Sequence, residues 1–347
     1  MSSNKILNLK IFFLSKLRKL FKSLGKKEKK ILNKIKYLQW KSRSDCGNLV
    51  WDENINEKEV SNSEHLPKKM AICICFFYDH KKIDILKQIC KECKNFAKEF
   101  DVTIITNEQN KAKLESLEKI IKEVVLNFTI YSPPDLQDTR LLPWSHFVIM
   151  RKKIIDDSYT HFMYLEDDIL LTKENILYWV KARNALKNYK LIPSFIRTEK
   201  NFKDNEIYAA DQIEKNNLKN MPKVYSKKQD IAFVNLLAPY QGMYFFDKDL
   251  MKEHLEGPSS NPDFGHTIFN VNYTNNEVVF IDLMAKANIG LIYKDVPKGF
   301  FYRNVVPVDL KNKIVKDYCL IKHLTNKYTN EEKNTWTGNI KIKELFF

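Results

Sequence analysis

An α/β fold built on a mostly parallel, Rossmann-like sheet is what this sequence predicts, and three observations lead there. From residue 70 onward, short apolar runs alternate with longer segments whose apolar residues recur at helical spacing. The first four segments read strand, helix, strand, helix, the opening of a parallel sheet with helices on both faces. The 347 residues are 44% hydrophobic and include only 8 glycines and 11 prolines. That is enough apolar content for one large domain or two smaller ones, and too little Gly and Pro for a collagen-like or linker-rich chain.

The chain opens with a basic arm. Residues 1–44 carry fourteen Lys and Arg against one acid, Glu28, so +13 of the formal +15 charge lies there and the rest is close to neutral. Ile6, Leu9, Phe13, Leu17, Leu20 and Leu24 recur at three- and four-residue steps, which predicts an amphipathic helix with its lysines largely on other faces. Such a helix can lie in an anionic membrane interface, dock on its own chain or meet a partner helix. A bare basic helix binds nucleic acid without reading sequence, so no specific nucleic-acid partner is expected. Lysines interrupt the apolar residues, which argues against a cleaved signal peptide, and no run of about 18 apolar residues predicts a spanning helix. Residues 45–68 are polar and irregular, a linker, and residues 69–347 follow as the folded body.

In that body, "MAICICFF" (Met70–Phe77) reads as a buried strand and Asp84 to Phe100 as a helix. "DVTIITN" (Asp101–Asn107) is the next strand, and Leu114 to Val125 the next helix. "PPDLQDTRLLP" (Pro133–Pro143) is a loop, followed by a helix whose apolar face includes Trp144, Phe147, Val148, Ile154 and Ile155. Then "HFMYL" is a strand, and Thr172 is placed to cap a helix running to about Lys187. Cys73 and Cys75 alternate inside the first strand. Cys90 and Cys93 have zinc-like spacing, but no second pair follows and a helix face explains them equally well. Six cysteines in a chain this long do not form a secreted disulfide framework, so a reducing cytosol is expected.

Between the "HFMYL" strand and the Thr172 cap stand three consecutive acids, Glu166, Asp167 and Asp168. Ile169–Leu171 separate them from the helix, so they are not its cap. Ligands of open α/β sheets bind beyond the carboxyl ends of strands, which is where these carboxylates fall. A hard divalent cation such as Mn²⁺ or Mg²⁺ would neutralise them, completing its shell with water and substrate phosphates. An acidic turn that happens to follow a strand is the alternative.

The ordered segments "THFMYLEDDILLTKENILYWV", "LIPSFIRTE", "PYQGMYFFDKDL", "DVPKGFFYRNVVPVD" and "IKHLTNKY" together resemble bacterial glycosyltransferases of the GT-A fold, across roughly residues 70–330. The resemblance implies a nucleotide-sugar donor, a UDP- or GDP-sugar, and a DXD-like motif at Glu166–Asp168. In that motif the last acid ligates Mn²⁺ or Mg²⁺ directly, with Asp167 and Glu166 near the metal, ribose or donor sugar. It implies that His323 completes the metal shell, and that Tyr78 and Asp79 lie where base and ribose are received. Arg197 and Glu199 are candidates for a place near the donor or acceptor, with a local ion pair as the plainer explanation, and Asp211 for the same cleft. Arg140 and Arg151 are candidates for phosphate contact, with surface solvation the plainer role for Arg151. Gln241–Gly242 precede a strand, where a glycine would let backbone approach a sugar or simply form a turn.

An inverting reaction also needs a base. Asp282 is the candidate, since "VVFIDLMAKA" (Val278–Ala287) is otherwise apolar and reads as helical, although Lys286 four residues on could simply pair with it. Glu256, Glu277 and Asp263 are rivals. The expected protein is a peripheral enzyme at the cytoplasmic face of the membrane, adding sugar to a glycan or glycolipid in surface-polysaccharide or lipooligosaccharide synthesis. Two other readings compete: a nucleotidyltransferase acting on sugar phosphates, which would want a glycine-rich loop that "CICFFYDHKK" lacks, and a non-catalytic protein that binds membrane or nucleic acid through its arm.

Overall fold

The computed structural model describes residues 49, 51, 65–228, 230–260, 267–271, 277–281, 283–330 and 337–347, with only the backbone course of 267–271, 277–281 and 283. The basic arm, most of the linker, Asp263 and Asp282 lie outside the described residues.

The predicted alternation is present. Strand β1 (Lys69–Phe76) leads through helix α1 (Ile83–Cys93) to β2 (Glu99–Thr106), and α2 (Lys111–Lys122) leads to β3 (Phe128–Tyr131). Helix α3 (Ser145–Ile155) then precedes β4 (His161–Glu166). After a two-residue strand β5 (Ile169–Leu170) comes α4 (Lys173–Leu186), opened by a capping box in which Thr172 and Asn175 satisfy each other's backbone N–H groups. Strands β1, β2, β3 and β4 are mutually parallel where they pair. A later strand, β8 (Met243–Asp247), adds antiparallel to β4, giving the order β8-β4-β1-β2-β3. Met70–Phe76 is buried throughout, as expected of a strand covered on both faces.

A second sheet grows beside the end of β4. Strand β6 (Ile196–Lys200) pairs with β7 (Ile207–Ala209) and, in parallel, with β9 (Leu320–His323). Strand β9 runs antiparallel to β5, setting His323 opposite Ile169. Residues distant in sequence are thereby laid against the acids. Another sheet joins Lys223–Tyr225, Ile231–Val234, Asn304–Asp309 and Ile314–Val315. One hydrophobic cluster runs through all of this, from Leu49 to Phe346.

Three expectations need correction. The first helix ends at Cys93 rather than Phe100, because a turn at Asn95–Phe96 releases Glu99 and Phe100 into β2. The segment Val278–Ala287 is not all helix: Glu277–Ile281 is a strand, and the helix, α6, runs from Leu283 to Ile289. On α3, Phe147 is buried but Val148 and Ile155 face outward, at 45% and 81% exposure. Met150 and His146 fill the buried face instead. Cys90 and Cys93 are both buried on one face of α1, so packing accounts for their spacing. Among the described residues, no helix is long and apolar enough to cross a membrane.

Candidate active site

The chain leaves β1 toward β2 and β3 on one side, then returns to place β4 on the other. The gap between the carboxyl ends of β1 and β4 is therefore the switch point of the sheet, where both following loops part and leave a crevice. Glu166 ends β4 there, and the β1 loop meets it: the Phe77 backbone N–H donates to Asp167 Oδ2 at 3.1 Å. A cavity of about 490 Å³ opens at this point. Its walls include all three acids, Lys82, Arg197, Asp211, Tyr240, Lys327 and Tyr328.

Each acid has a different environment. Asp167 is held by the β1 loop and by the Lys82 ammonium, 2.9 Å from its Oδ1. Glu166 accepts from the Tyr240 hydroxyl and lies 3.7 Å from the Arg197 guanidinium. Arg197 is itself clamped by Asp211, through Nε at 2.9 Å and Nη2 at 2.5 Å. Asp168 is the third case. Its Oδ2 meets His323 Nε2 at 2.9 Å, while its Oδ1 is buried without a hydrogen-bond partner among the described residues. Strands β6 and β9 supply the back of the site, since Arg197 and Glu199, two apart on β6, share a face. Glu199 closes on the other ring nitrogen of His323.

The titration of these groups follows from burial and neighbours. Burial raises Glu166 above the usual carboxylate range, with Arg197 opposing it, and raises Asp167 against the pull of Lys82. Burial also works to raise Asp168, but the His323 hydrogen bond and the charges of His323, Arg197 and Lys327 prevail and hold it low. His323 is pushed down by burial and up, more strongly, by Asp168 and Glu199.

Do these residues fit a divalent cation? Among the described residues, no set of three or more His, Cys, Asp or Glu side chains stands ready as a closed metal cage. A cation that shares its shell with phosphates and water needs fewer protein donors than that. Asp168 has an oxygen with nothing among the described residues to satisfy it, a costly state for a buried carboxylate. The 2.9 Å between its other oxygen and His323 Nε2 is also about the separation of two neighbouring ligands on one ion of roughly 2.1 Å bond length. The pair fits; Asp167 fits less well, because both its oxygens are already engaged.

The other predicted residues divide clearly. Gly242 belongs to the site: at φ +65° it adopts a left-handed backbone, and a Cβ there would stand 2.9 Å from Glu166 Oε2 and 3.3 Å from Arg197 Nη1. Asp211 lines the cavity, as do Met284 and Ala285 of α6, two and three residues after Asp282. Gln241 is buried and structural, accepting from Ser194 and Phe195 N while donating to Met243 O. Tyr78 is half-buried beside the cavity loop, with its N–H on Asn107, and Asp79 is exposed and caps the turn His80–Lys82. Arg140 is exposed and paired with Asp138 at 2.6 Å, and Arg151 is exposed over the Phe147 ring. Glu256 is exposed at the end of helix α5 (Lys248–Leu255) and is not brought to the acids.

Sequence reasoning missed Lys82, Tyr240, Lys327 and Tyr328. Lys82 follows the first strand by six residues, so its place beyond a carboxyl strand end was a usable signal. Lys327 and Tyr328 follow His323 in sequence, and their approach to β6 depends on the pairing of β9.

No family model matches the chain, and no curated protein matches it. Solved structures overlap parts of it. A mannosyltransferase from Pyrobaculum calidifontis in complex with GDP-Man and Mn²⁺ is 8% identical at a TM-score of 0.28, over 39% of this chain and 37% of that one. GalNAc-T7 with UDP, GalNAc and Mn²⁺ is 12% identical at 0.38, over 59% and 39%. S. aureus TarS 1-349 in complex with UDP-GlcNAc is 14% identical at 0.29, over 53% and 47%. The chain thus spans less than half the length of each.

Proposed function

We propose that this protein is a Mn²⁺- or Mg²⁺-dependent glycosyltransferase of the GT-A kind, moving a sugar from a UDP- or GDP-linked donor to a glycan or glycolipid. The observation that carries the reading is the unsatisfied, buried Oδ1 of Asp168 at the switch-point crevice, with His323 Nε2 beside its partner oxygen. Four of the five ordered segments that resemble such enzymes contribute residues to the walls of that crevice. Bound there, a divalent cation would supply Lewis-acid stabilisation of the charge that develops on a departing nucleoside diphosphate.

The chain's own groups do the rest. Asp168 and His323 hold the cation. Lys82, tethered to Asp167 yet partly open to the cavity, offers its ammonium to a phosphate oxygen. Arg197 is fixed by Asp211 and by the faces of Tyr240 and Tyr328, so it fixes Glu166 in turn and keeps that wall rigid for the donor sugar. Asp282, two residues before Met284 in the sequence, is the proposed base that takes the acceptor's proton. The basic arm is proposed to hold the enzyme on an anionic membrane surface, where a lipid-linked acceptor would be found. The nucleotidyltransferase alternative gains nothing from the structure, because the loop after β1 is "YDHKKI" with no glycine cradle.

Thermal denaturation of the full chain against a panel of UDP- and GDP-sugars, with and without Mn²⁺, tests this. At a ligand concentration about 100 times Kd, stabilisation of about 2.7 kcal/mol is expected for one donor class, and only with metal. No stabilisation by any of them would refute it.

A further inference from the structure

We infer that Glu199 is a positioning residue that aims His323 at the cation site and ties it to the turn at the cavity rim. The inference rests on the metal-dependent reading above. Glu199 is 1% exposed and touches neither the cavity nor Asp168, so it is not placed to meet a substrate. Its two oxygens have separate tasks. Oε1 accepts from His323 Nδ1, and Oε2 accepts from the Thr329 backbone N–H at 2.7 Å.

The first contact decides what His323 can do. With Nδ1–H committed to Glu199, Nε2 is the nitrogen turned toward Asp168, 2.9 Å from its Oδ2. A carboxylate behind a metal-binding imidazole fixes ring orientation and raises ligand basicity. Sheet register makes the contact specific: β9 runs parallel to β6 with Lys322 opposite Thr198, so the following residues, His323 and Glu199, come side by side.

The second contact reaches the cavity rim. Thr329 belongs to the one-turn helix Lys327–Asn330, whose Lys327 ammonium is 4.0 Å from Asp168 Oδ2. The Tyr328 ring stacks on His323, with centroids 5.2 Å apart and planes at 14°. Further bonds hold this turn to β6 and the chain just beyond it, from Asn330 to Lys200 O and from Phe202 N to Asn330. One carboxylate therefore sets the imidazole and the turn that covers it in a single arrangement.

The test is Mn²⁺ affinity of the full-length protein, read as free-ion signal by electron paramagnetic resonance without donor or acceptor. Glu199→Gln keeps the shape but can donate to Nδ1, which favours the tautomer whose Nε2 carries the proton and cannot ligate. A roughly 10- to 100-fold weaker Mn²⁺ affinity is expected, in the range of second-sphere substitutions. In a His323→Ala background the same change should have no further effect on Mn²⁺ binding. Should Glu199→Gln fail to fold, Glu199→Asp is read instead: it keeps the charge but loses reach, and at least tenfold weakening is again expected. Unchanged affinity in the folded variant, while Asp168→Asn abolishes binding, would overturn the positioning role and leave the metal reading standing. Absence of Mn²⁺ binding by the unmodified protein, both alone and with UDP or GDP present, would instead overturn both.

Discussion

If the proposed function holds, replacing Asp168 by asparagine should separate turnover from folding, because its carboxylate has one oxygen on His323 and one without a partner among the described residues. Asparagine keeps the volume and can still share a hydrogen bond with a neutral His323 Nε2. What it loses is charge assistance in that bond, a difference of about 1 to 2 kcal/mol between charged and neutral hydrogen bonds. Against this, it removes one of three adjacent negative charges, while the amide group that takes the place of Oδ1 finds no partner there among the described residues either. These effects oppose each other, so the stability of the ion-free protein should change by no more than about 2 kcal/mol. Turnover is different. If the cation contributes about 4 kcal/mol of leaving-group stabilisation, losing its anionic ligand costs roughly a thousandfold in rate. The assay is initial-rate donor hydrolysis or transfer at saturating Mn²⁺, alongside urea denaturation without metal. A tenfold change in rate corresponds to about 1.36 kcal/mol of barrier, so turnover within about threefold of the unmodified protein would leave almost none of that stabilisation to Asp168 and refute its assignment.

Three further outcomes follow from the structure. Gly242→Ala should lose about 1 to 2 kcal/mol from its left-handed backbone alone, and more as Glu166 moves aside; an unchanged urea midpoint would contradict the close approach. Thr172→Ala removes a capping box and should cost about 1 kcal/mol in the same measurement, with donor binding little altered. The third is acid sensitivity. Burial pushes His146 down to about 3 and His254 well below its ordinary value, so both stay neutral in the fold while the unfolded chain takes up protons below about pH 6.5. Stability is therefore present above that pH and lost as pH falls, by about 2 kcal/mol per histidine between pH 7 and 5. In His254→Phe that part of the pH slope should shrink by one histidine's share, and an unaltered slope would show that His254 does not titrate on unfolding.

Much of the architecture was legible because it depends on local pattern. The buried strand read over Met70–Phe77, the helical spacing of Cys90 and Cys93 and the Thr172 cap are short-range consequences of side-chain spacing, and the structure has the strand at Lys69–Phe76, both cysteines on the buried face of α1 and the cap at Thr172. Errors fell where apolar residues do not declare a period. Val278–Ile281 reads as helix but is strand, since a short apolar run shows no period of its own, and the end of α1 turned on which partner Glu99 and Phe100 would find.

The site divides along the same line. Three adjacent acids at the end of an apolar strand already marked a place where charge must be compensated, whatever the fold did around it. Which acid would be left with an unsatisfied oxygen was decided by contacts between residues 74 to 155 positions apart: Lys82 and Phe77 occupy Asp167, Tyr240 occupies Glu166, and His323 takes one oxygen of Asp168. Glu199 was only one of several candidates for the cleft, and its place behind His323 was fixed once β6 and β9 were paired. Spacing along the chain sets helix and strand faces, but the distance between remote side chains is fixed only by sheet register and packing.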